Sequence, residues 1–324
     1  MKLNSTKMLL LWSMTIGVMI SMSSNSWIMM WSGIEISMMS LIPLMSSNSI
    51  LSSESCTKYF IIQSSSSMIM IMSFMMMISK NMLNYEMILL TSLMMKIGVV
   101  PFHNWVLSVI EGLNYLMMFN ILIIMKMAPL TMMSYLNSMM VMVPMLTMIL
   151  GSIMGINQNS LRKMLGYSSI FNLGILILST KSNTVWLSFM AMYTIMMISI
   201  ISFINKMNFN YINQMSISNH KKMLNLKLWI ILISMGGMPP TLGFSAKLLV
   251  IEFLIKTKTM MNLTIMIMTS LLVMFFYMRL AISTITYSSN MNKTKLSLSK
   301  ESSTNLMMIN LISLPVMMSL KMMT

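Results

Sequence analysis

Three lysines lie inside apolar stretches that a lipid bilayer would have to accommodate: Lys96 in TSLMMKIGVVPF, Lys126 in NILIIMKMAPL and Lys247 in LGFSAKLLVI. One carboxylate, Glu35 in SGIEISMMSL, sits in similar surroundings. A lysine at mid-bilayer costs about 2.5 to 3.5 kcal/mol on insertion scales, so three cost about 8 to 10 kcal/mol that membrane insertion does not require. Proton-exchanging side chains held away from solvent point to ion or proton movement. The alternative is a buried ion-pair network that fixes helix packing and nothing more.

Helix breakers stand beside two of these lysines. Gly98-Val99-Val100-Pro101 follows Lys96, and Gly236-Gly237-Met238-Pro239-Pro240 precedes Lys247. Proline lacks a backbone donor and clashes with the carbonyl four residues back. In lipid the freed groups must find protein or water partners. Paired interruptions of this kind are expected of inverted-repeat transporters, in which broken helices line a path at the midplane. Pro129, three residues after Lys126, loosens a third helix in the same manner. Each break also has a plainer reading as a packing kink. His103, just beyond the first break, either passes protons between loop and lysine, given its near-neutral titration, or caps the helix end.

The elements that must position these groups are membrane helices. With 56% hydrophobic and 8% charged residues, the chain carries apolar windows from end to end. Each has the length, about 17 to 25 residues, that a helix needs to cross the hydrocarbon core. Barrel strands would be shorter and would alternate. The expected fold is all-α, a polytopic transmembrane helix bundle in a single domain over residues 1–324. About eleven spans are read: 5–24, 25–46, 55–79, 86–103, 114–135, 137–155, 161–180, 184–204, 225–256, 259–284 and 304–323.

A net charge of +15 would suggest nucleic acid in a soluble chain, but here the basic residues are spread over short loops and helix ends. No nucleic-acid partner is expected. With the N-terminus inside, thirteen basic residues fall on that face, among them Arg162, Lys163, Lys206 and Lys227, against five on the other. The positive-inside rule supports that orientation, and an odd span count puts the C-terminus opposite. The lone Cys56 excludes a disulfide framework, an iron–sulfur cluster or a cysteine zinc site made by this chain alone. With His103 and His220 the only histidines and no Asp, the raw material for metal clusters and Ser/His/Asp triads is missing. No dinucleotide or phosphate-binding glycine loop occurs. Methionine at 55 residues, with few Ala and Arg, reads as an AT-rich gene translated with a code in which ATA means Met, as in animal mitochondria. No transit or signal peptide is evident, in keeping with local synthesis.

Several lesser features have two readings. The run Ser64 to Ser67 either lines a water path or bonds back to its own helix. Gly151 and Gly155 form a small-xxx-small pair suited to close helix contact. Glu54 and Glu111 read as solvated loop charges, His220 as a surface residue, and Glu252 as either a tuner of Lys247 or a helix-end charge.

Taken together, several blocks resemble one family. They are Trp27 to Pro43 around Gly33-Ile34-Glu35, then Ser53-Glu54, Lys58-Tyr59-Phe60 and Gln63, and Lys96 through Pro101-Phe102-His103 to Trp105 and Gly112. Further along come Lys126 with Ala128-Pro129, Gly155 with Asn157-Gln158, Ser160 to Lys163, Tyr167 to Ile170, the Gly236 to Lys247 segment, and Phe276-Tyr277 with Arg279-Leu280. The pattern resembles the chain 2 family of mitochondrial NADH:ubiquinone oxidoreductase, the antiporter-like membrane subunits of respiratory complex I, nearly end to end.

The resemblance implies a translocase subunit of the inner membrane, three N-terminal helices shorter than bacterial relatives and surrounded by other complex I membrane subunits. It implies that Glu35, Lys96, Lys126 and Lys247 form a proton relay. NADH, FMN, iron–sulfur clusters and ubiquinone would belong to the whole complex, with none bound by this chain. Departures from the family pattern are Asn104 in place of an aromatic, Ile124-Met125 before Lys126 in place of Trp-Gln, Ala246 and Leu248 around Lys247 in place of Pro and Trp, and Asn172 where His is usual.

Desolvation physics gives the relay a mechanism. At about 4 Å and an effective dielectric near 20, a carboxylate attracts an ammonium by roughly 4 kcal/mol, enough for Glu35 to hold the proton on Lys96. Drawing Glu35 away would release that proton toward Lys126 and then Lys247. Two rival functions remain open at this stage: a free-standing cation/proton antiporter, and a structural membrane subunit that pumps nothing.

Overall fold

The computed structural model describes residues 5–47, 49–79, 85–136, 142–217 and 222–290. In a bilayer every backbone polar group must be satisfied internally, and the described chain meets that demand almost wholly with helices. In order these are α1 (Ser5–Ser23), α2 (Trp27–Met45), α3 (Ile50–Ile78), α4 (Tyr85–Ile97), α5 (Asn104–Gly112), α6 (Tyr115–Phe119) and α7 (Met125–Ser134). Then follow α8 (Met142–Ile156), α9 (Leu161–Ser179), α10 (Asn183–Met207), α11 (Ile212–Ile217), α12 (Lys222–Gly236), α13 (Leu242–Lys256) and α14 (Met260–Asn290). A π-turn, Asn120–Ile124, joins α6 to α7 without interrupting the rod. Among the described residues, seven helical stretches are long and apolar enough to cross a membrane, and two shorter apolar helices, Met142–Ile156 and Leu226–Gly236, accompany them.

The expected span 225–256 is divided into α12 and α13, and the helix of the expected span 86–103 stops at Ile97, with α5 starting just beyond the span at Asn104. Both breaks are built alike. α4 ends at Ile97, Gly98 adopts φ +78°, and the N–H groups of Gly98 and Val99 both return to the Met94 carbonyl. α12 ends at Gly236, Gly237 adopts φ +82°, and Gly237 and Met238 return to the Ile233 carbonyl. A left-handed residue closing the last turn in this way is the glycine C-cap, and the prolines that follow keep the helix from resuming. Glu54 and Glu111, read as loop charges, lie within α3 and α5, where both are exposed. Lys227, counted with the charges of loops and helix ends, is buried within α12. The expected span 304–323 and His220 lie outside the described residues.

The chain divides into two compact units, Met1–Thr147 and Met148–Thr324. In the first, α1 packs along α2, α2 on α3, α3 on α4 and α5, and α7 on α1, α2 and α4. In the second, α12 lies between α10 and α14, and α13 packs on α9, α10, α12 and α14.

Small residues set the closest approach in each unit. A Cβ on Gly17 would stand 2.7 Å from the Gly33 carbonyl oxygen, and one on Gly33 would stand 2.6 Å from the Gly17 carbonyl oxygen. Ser21 and Ser37, one turn on, complete the seam between α1 and α2. Gly33→Val should therefore push α1 off α2, at roughly the 1 to 3 kcal/mol of an overpacked core. The check is the yield and thermal stability of the assembled protein; unchanged values would mean that this seam does not hold the helices. In the second unit a Cβ on Gly151 would stand 2.7 Å from the Phe171 amide nitrogen on α9, while one on Gly155 would stand 3.1 Å from the Phe276 ring on α14, so the expected close contact is made by Gly151 and the two glycines do not share one seam. The run Ser64 to Ser67 takes the self-bonding course: these hydroxyls donate to Ile61, Ile62, Gln63 and Ser64 carbonyls at 3.1, 2.9, 2.7 and 2.8 Å.

Candidate functional site

In the first unit, Glu35 on α2 and Lys96 on α4 meet. The Lys96 Nζ donates to Glu35 Oε1 at 3.1 Å, with the lysine side chain 1% exposed and the glutamate 18%. Lys96 occupies the last turn before the Gly98 break, where unpaired carbonyls carry partial negative charge that suits a cation. Those carbonyls have further partners. Trp105 Nε1, from α5 beyond the break, donates to the Met95 carbonyl at 3.0 Å, and Gln63 Nε2 on α3 donates to the Lys96 carbonyl at 3.2 Å. The break thus exposes acceptors, and two side chains from other helices satisfy them. Gly98 is required twice over: its φ is positive, and a Cβ there would overlap the Val106 side chain.

Lys126 stands on the other side of a small cavity lined by Tyr59, Gln63, Lys96, Trp105, Lys126 and Pro129, among others. Its volume is about 10 Å³, close to the minimum that one water molecule requires. The Lys126 Nζ is buried and has no hydrogen-bond partner among the described residues. Two departures from regular helix flank it. The π-turn sends the Met125 N–H to the Asn120 carbonyl five residues back. Pro129 has no N–H to return to the Met125 carbonyl. π-turns occur often at functional positions because they widen a helix locally.

In the second unit, Lys247 lies on α13, beyond the second break, and reaches back across it. Its Nζ donates to the Gly236 carbonyl at 2.8 Å, and the ammonium lies 5.6 Å from the centre of the Phe171 ring. Among the described residues no carboxylate forms an ion pair with it, and Glu252, five residues on, is exposed. Lys247 thereby does at the second break what Trp105 and Gln63 do at the first.

The structure brings Lys96 and Lys126 together around one cavity, pairs Glu35 with Lys96, and gives Lys247 its own site in the second unit. His103 takes the N-cap position of α5, half-buried, without a side-chain capping bond and with Nδ1 buried and unpaired. Glu54 pairs with Lys58 at 3.6 Å on an exposed helix face, an arrangement of small energetic value. Gln63 and Trp105 entered the sequence reading only as parts of a resemblance, not as partners of the break. The available signal was a lone Gln inside an apolar span.

Membrane-length helices, two of them interrupted by glycine and proline beside buried lysines, define a class: helical membrane proteins of the broken-helix type. Residues 24–275 match the family model described as NADH:quinone oxidoreductase/Mrp antiporter, TM, and the chain belongs to that family. It is 37% identical over 282 residues to NADH-ubiquinone oxidoreductase chain 2 of Anopheles gambiae, covering 82% of each chain. With the protein of the same name from Locusta migratoria the identity is 34% over 290 residues, covering 86% of this chain and 85% of the other. In fold it is similar to a chain of respiratory complex I from Thermus thermophilus with bound aureothin, at TM-score 0.80 and 17% identity, over 87% of this chain and 71% of that one. It is also similar to a chain of the Mrp complex from Dietzia sp. DQ12-45-1b, at TM-score 0.76 and 14% identity, over 84% of this chain and 59% of that one.

Proposed function

We propose that this chain is a core membrane subunit of respiratory complex I that moves protons across the mitochondrial inner membrane, in step with electron transfer from NADH to ubiquinone on other subunits. The observation that carries the reading is the Glu35–Lys96 ion pair, whose lysine lines a water-sized cavity together with the partnerless Lys126. While Glu35 is in contact, Lys96 keeps its proton. When a charge change in a neighbouring antiporter-like subunit draws Glu35 away, the desolvated ammonium loses its counter-ion and passes a proton through water in the cavity to the neutral amine of Lys126, leaving Lys96 neutral and Lys126 protonated. Lys247 provides the corresponding stage in the second unit, and His103 exchanges protons at the turn beyond the first break. The chain works as one antiporter-like domain, with its N-terminus on the matrix side and its C-terminus on the other. NADH, FMN, iron–sulfur clusters and ubiquinone are held by partner subunits: one Cys cannot hold a cluster, and the chain carries no dinucleotide-binding glycine loop.

Identity to NADH-ubiquinone oxidoreductase chain 2 over most of both chains favours this reading above a free-standing cation/proton antiporter. Native electrophoresis of mild-detergent membranes, stained for NADH oxidation and followed by mass spectrometry, tests it. Presence of the chain in the large active band is the expected result; a chain running alone would move the reading to the antiporter. Within the complex, Lys126→Met should lower proton pumping while leaving assembly intact, because methionine fills the lysine's space and removes a buried nitrogen that has no hydrogen-bond partner among the described residues. Full pumping by that variant, read as vesicle acidification per NADH oxidised, would remove Lys126 from the relay.

A further inference from the structure

Two polar side chains that line the cavity shared by Lys96 and Lys126 have no part in the relay as described: Tyr59 and Gln63, both on α3. They are four residues apart, which puts them on the same helix face. Both are buried, at 2% and 5% exposure, and polar groups so placed need partners.

The Lys96 carbonyl can only accept a hydrogen bond, so the Gln63 group that meets it at 3.2 Å is the NH2. That bond fixes which way the carboxamide is turned. It leaves Oε1, an acceptor, without a donor among the described residues. Tyr59 keeps its ring against Trp105, with centroids 5.9 Å apart, and its hydroxyl makes no hydrogen bond among the described residues. The Lys126 Nζ likewise has none. Three buried polar groups with capacity to spare, around a cavity of about 10 Å³, suit one water molecule, which takes two to four hydrogen bonds.

We propose that Gln63 and Tyr59 are positioning residues that hold one water between Lys96 and Lys126 and orient it for proton transfer. Gln63 Oε1 accepts one of the water's two hydrogens, and the Tyr59 hydroxyl donates to one of its two lone pairs. One lone pair and one hydrogen remain. Once Glu35 has left Lys96, the lone pair takes a proton from the Lys96 ammonium while the hydrogen passes to the neutral amine of Lys126. One N–H and one O–H bond break, one O–H and one N–H bond form, and the water is restored. Because the Lys96 carbonyl holds the Gln63 carboxamide, the residue that gives up the proton also sets the group that aligns its acceptor.

This inference rests on the proposed pumping role, so its test carries a control for that role. Inner-membrane vesicles holding the assembled complex are prepared with Tyr59→Phe, Gln63→Met or Lys126→Met. Initial proton uptake is read against NADH oxidation, in H2O and in D2O. Misplacing a reacting group by about 1 Å can slow its step about 100-fold, so a fall of roughly tenfold or more in uptake is expected for Tyr59→Phe and for Gln63→Met. The ratio of rates in H2O and D2O should rise above the parent's in both, because proton transfer becomes the slow step. A side chain that only packs helices would leave that ratio unchanged in whatever complex assembles. Tyr59→Phe keeps the ring on Trp105 and every bond at the first break, so it reads the water alone, whereas Gln63→Met also frees the Lys96 carbonyl. Parent uptake and parent ratio in Tyr59→Phe, beside impaired uptake in Lys126→Met, would overturn the water site and leave the pump reading standing. Parent uptake in all three would overturn both.

Discussion

Glu35→Gln should destabilise the assembled protein more than Lys96→Met, and the double substitution should recover most of that stability while recovering no pumping. The asymmetry comes from burial. The lysine side chain is 1% exposed, so removing its counter-ion strands a charge in a medium that cannot solvate it, at about 3 to 5 kcal/mol for a broken buried pair. Glu35 keeps 18% exposure, so it is the less desolvated partner of the two once the other is gone. Replacing both partners removes charge and counter-charge together, which in buried pairs is close to neutral. A double-mutant cycle on thermal stability, with proton uptake measured on each assembled variant, separates the two roles. An ion pair that only fixes packing predicts that the double variant pumps at the parent rate; that result would end the case for Lys96 as a proton carrier.

The groups that make this test possible were partly readable in the chain itself, for reasons that differ from residue to residue. Lys96, Lys126 and Lys247 stand out because each opposes the transfer energy of the segment around it. The two breaks stand out because glycine and proline act through the local backbone, whatever surrounds them. The union of Glu35 with Lys96, 61 residues apart, is different in kind. It depends on the α1–α2 seam and on how α2 and α4 pack on common neighbours, none of which any local pattern encodes. The π-turn before Lys126 is likewise silent in the sequence, since Asn120 to Ile124 contains no breaker and reads as ordinary helix. Helix α5 went unrecognised for another reason. At nine residues it is too short to span and carries no membrane-length pattern, although it brings Trp105 back to the first break.

The second break offers a sharper contrast, between two adjacent glycines. Gly237→Ala should be strongly disruptive and Gly236→Ala mild. At Gly236 a Cβ would meet Met274 Cα and Tyr277 Cβ at 3.5 Å each, ordinary van der Waals contact within a helix that prefers alanine. At Gly237 the backbone is left-handed, φ +82°, which costs an L-residue about 1 to 2 kcal/mol. A Cβ there would also stand 2.7 Å from the Lys247 Nζ and 3.1 Å from its Cε. The lysine must then leave the Gly236 carbonyl, giving up a hydrogen bond from a charged donor worth about 1.5 to 3 kcal/mol and exposing a freed acceptor to an apolar interior. Together these terms put Gly237→Ala at about 3 to 5 kcal/mol, against less than 1 for its neighbour. Thermal unfolding of the assembled protein reads the difference directly, and proton uptake by whatever Gly237→Ala complex forms reads the displacement of Lys247. Equal effects of the two substitutions would mean that the lysine does not depend on the break for its position, and the second unit would then lose the feature that ties its broken helix to its buried charge.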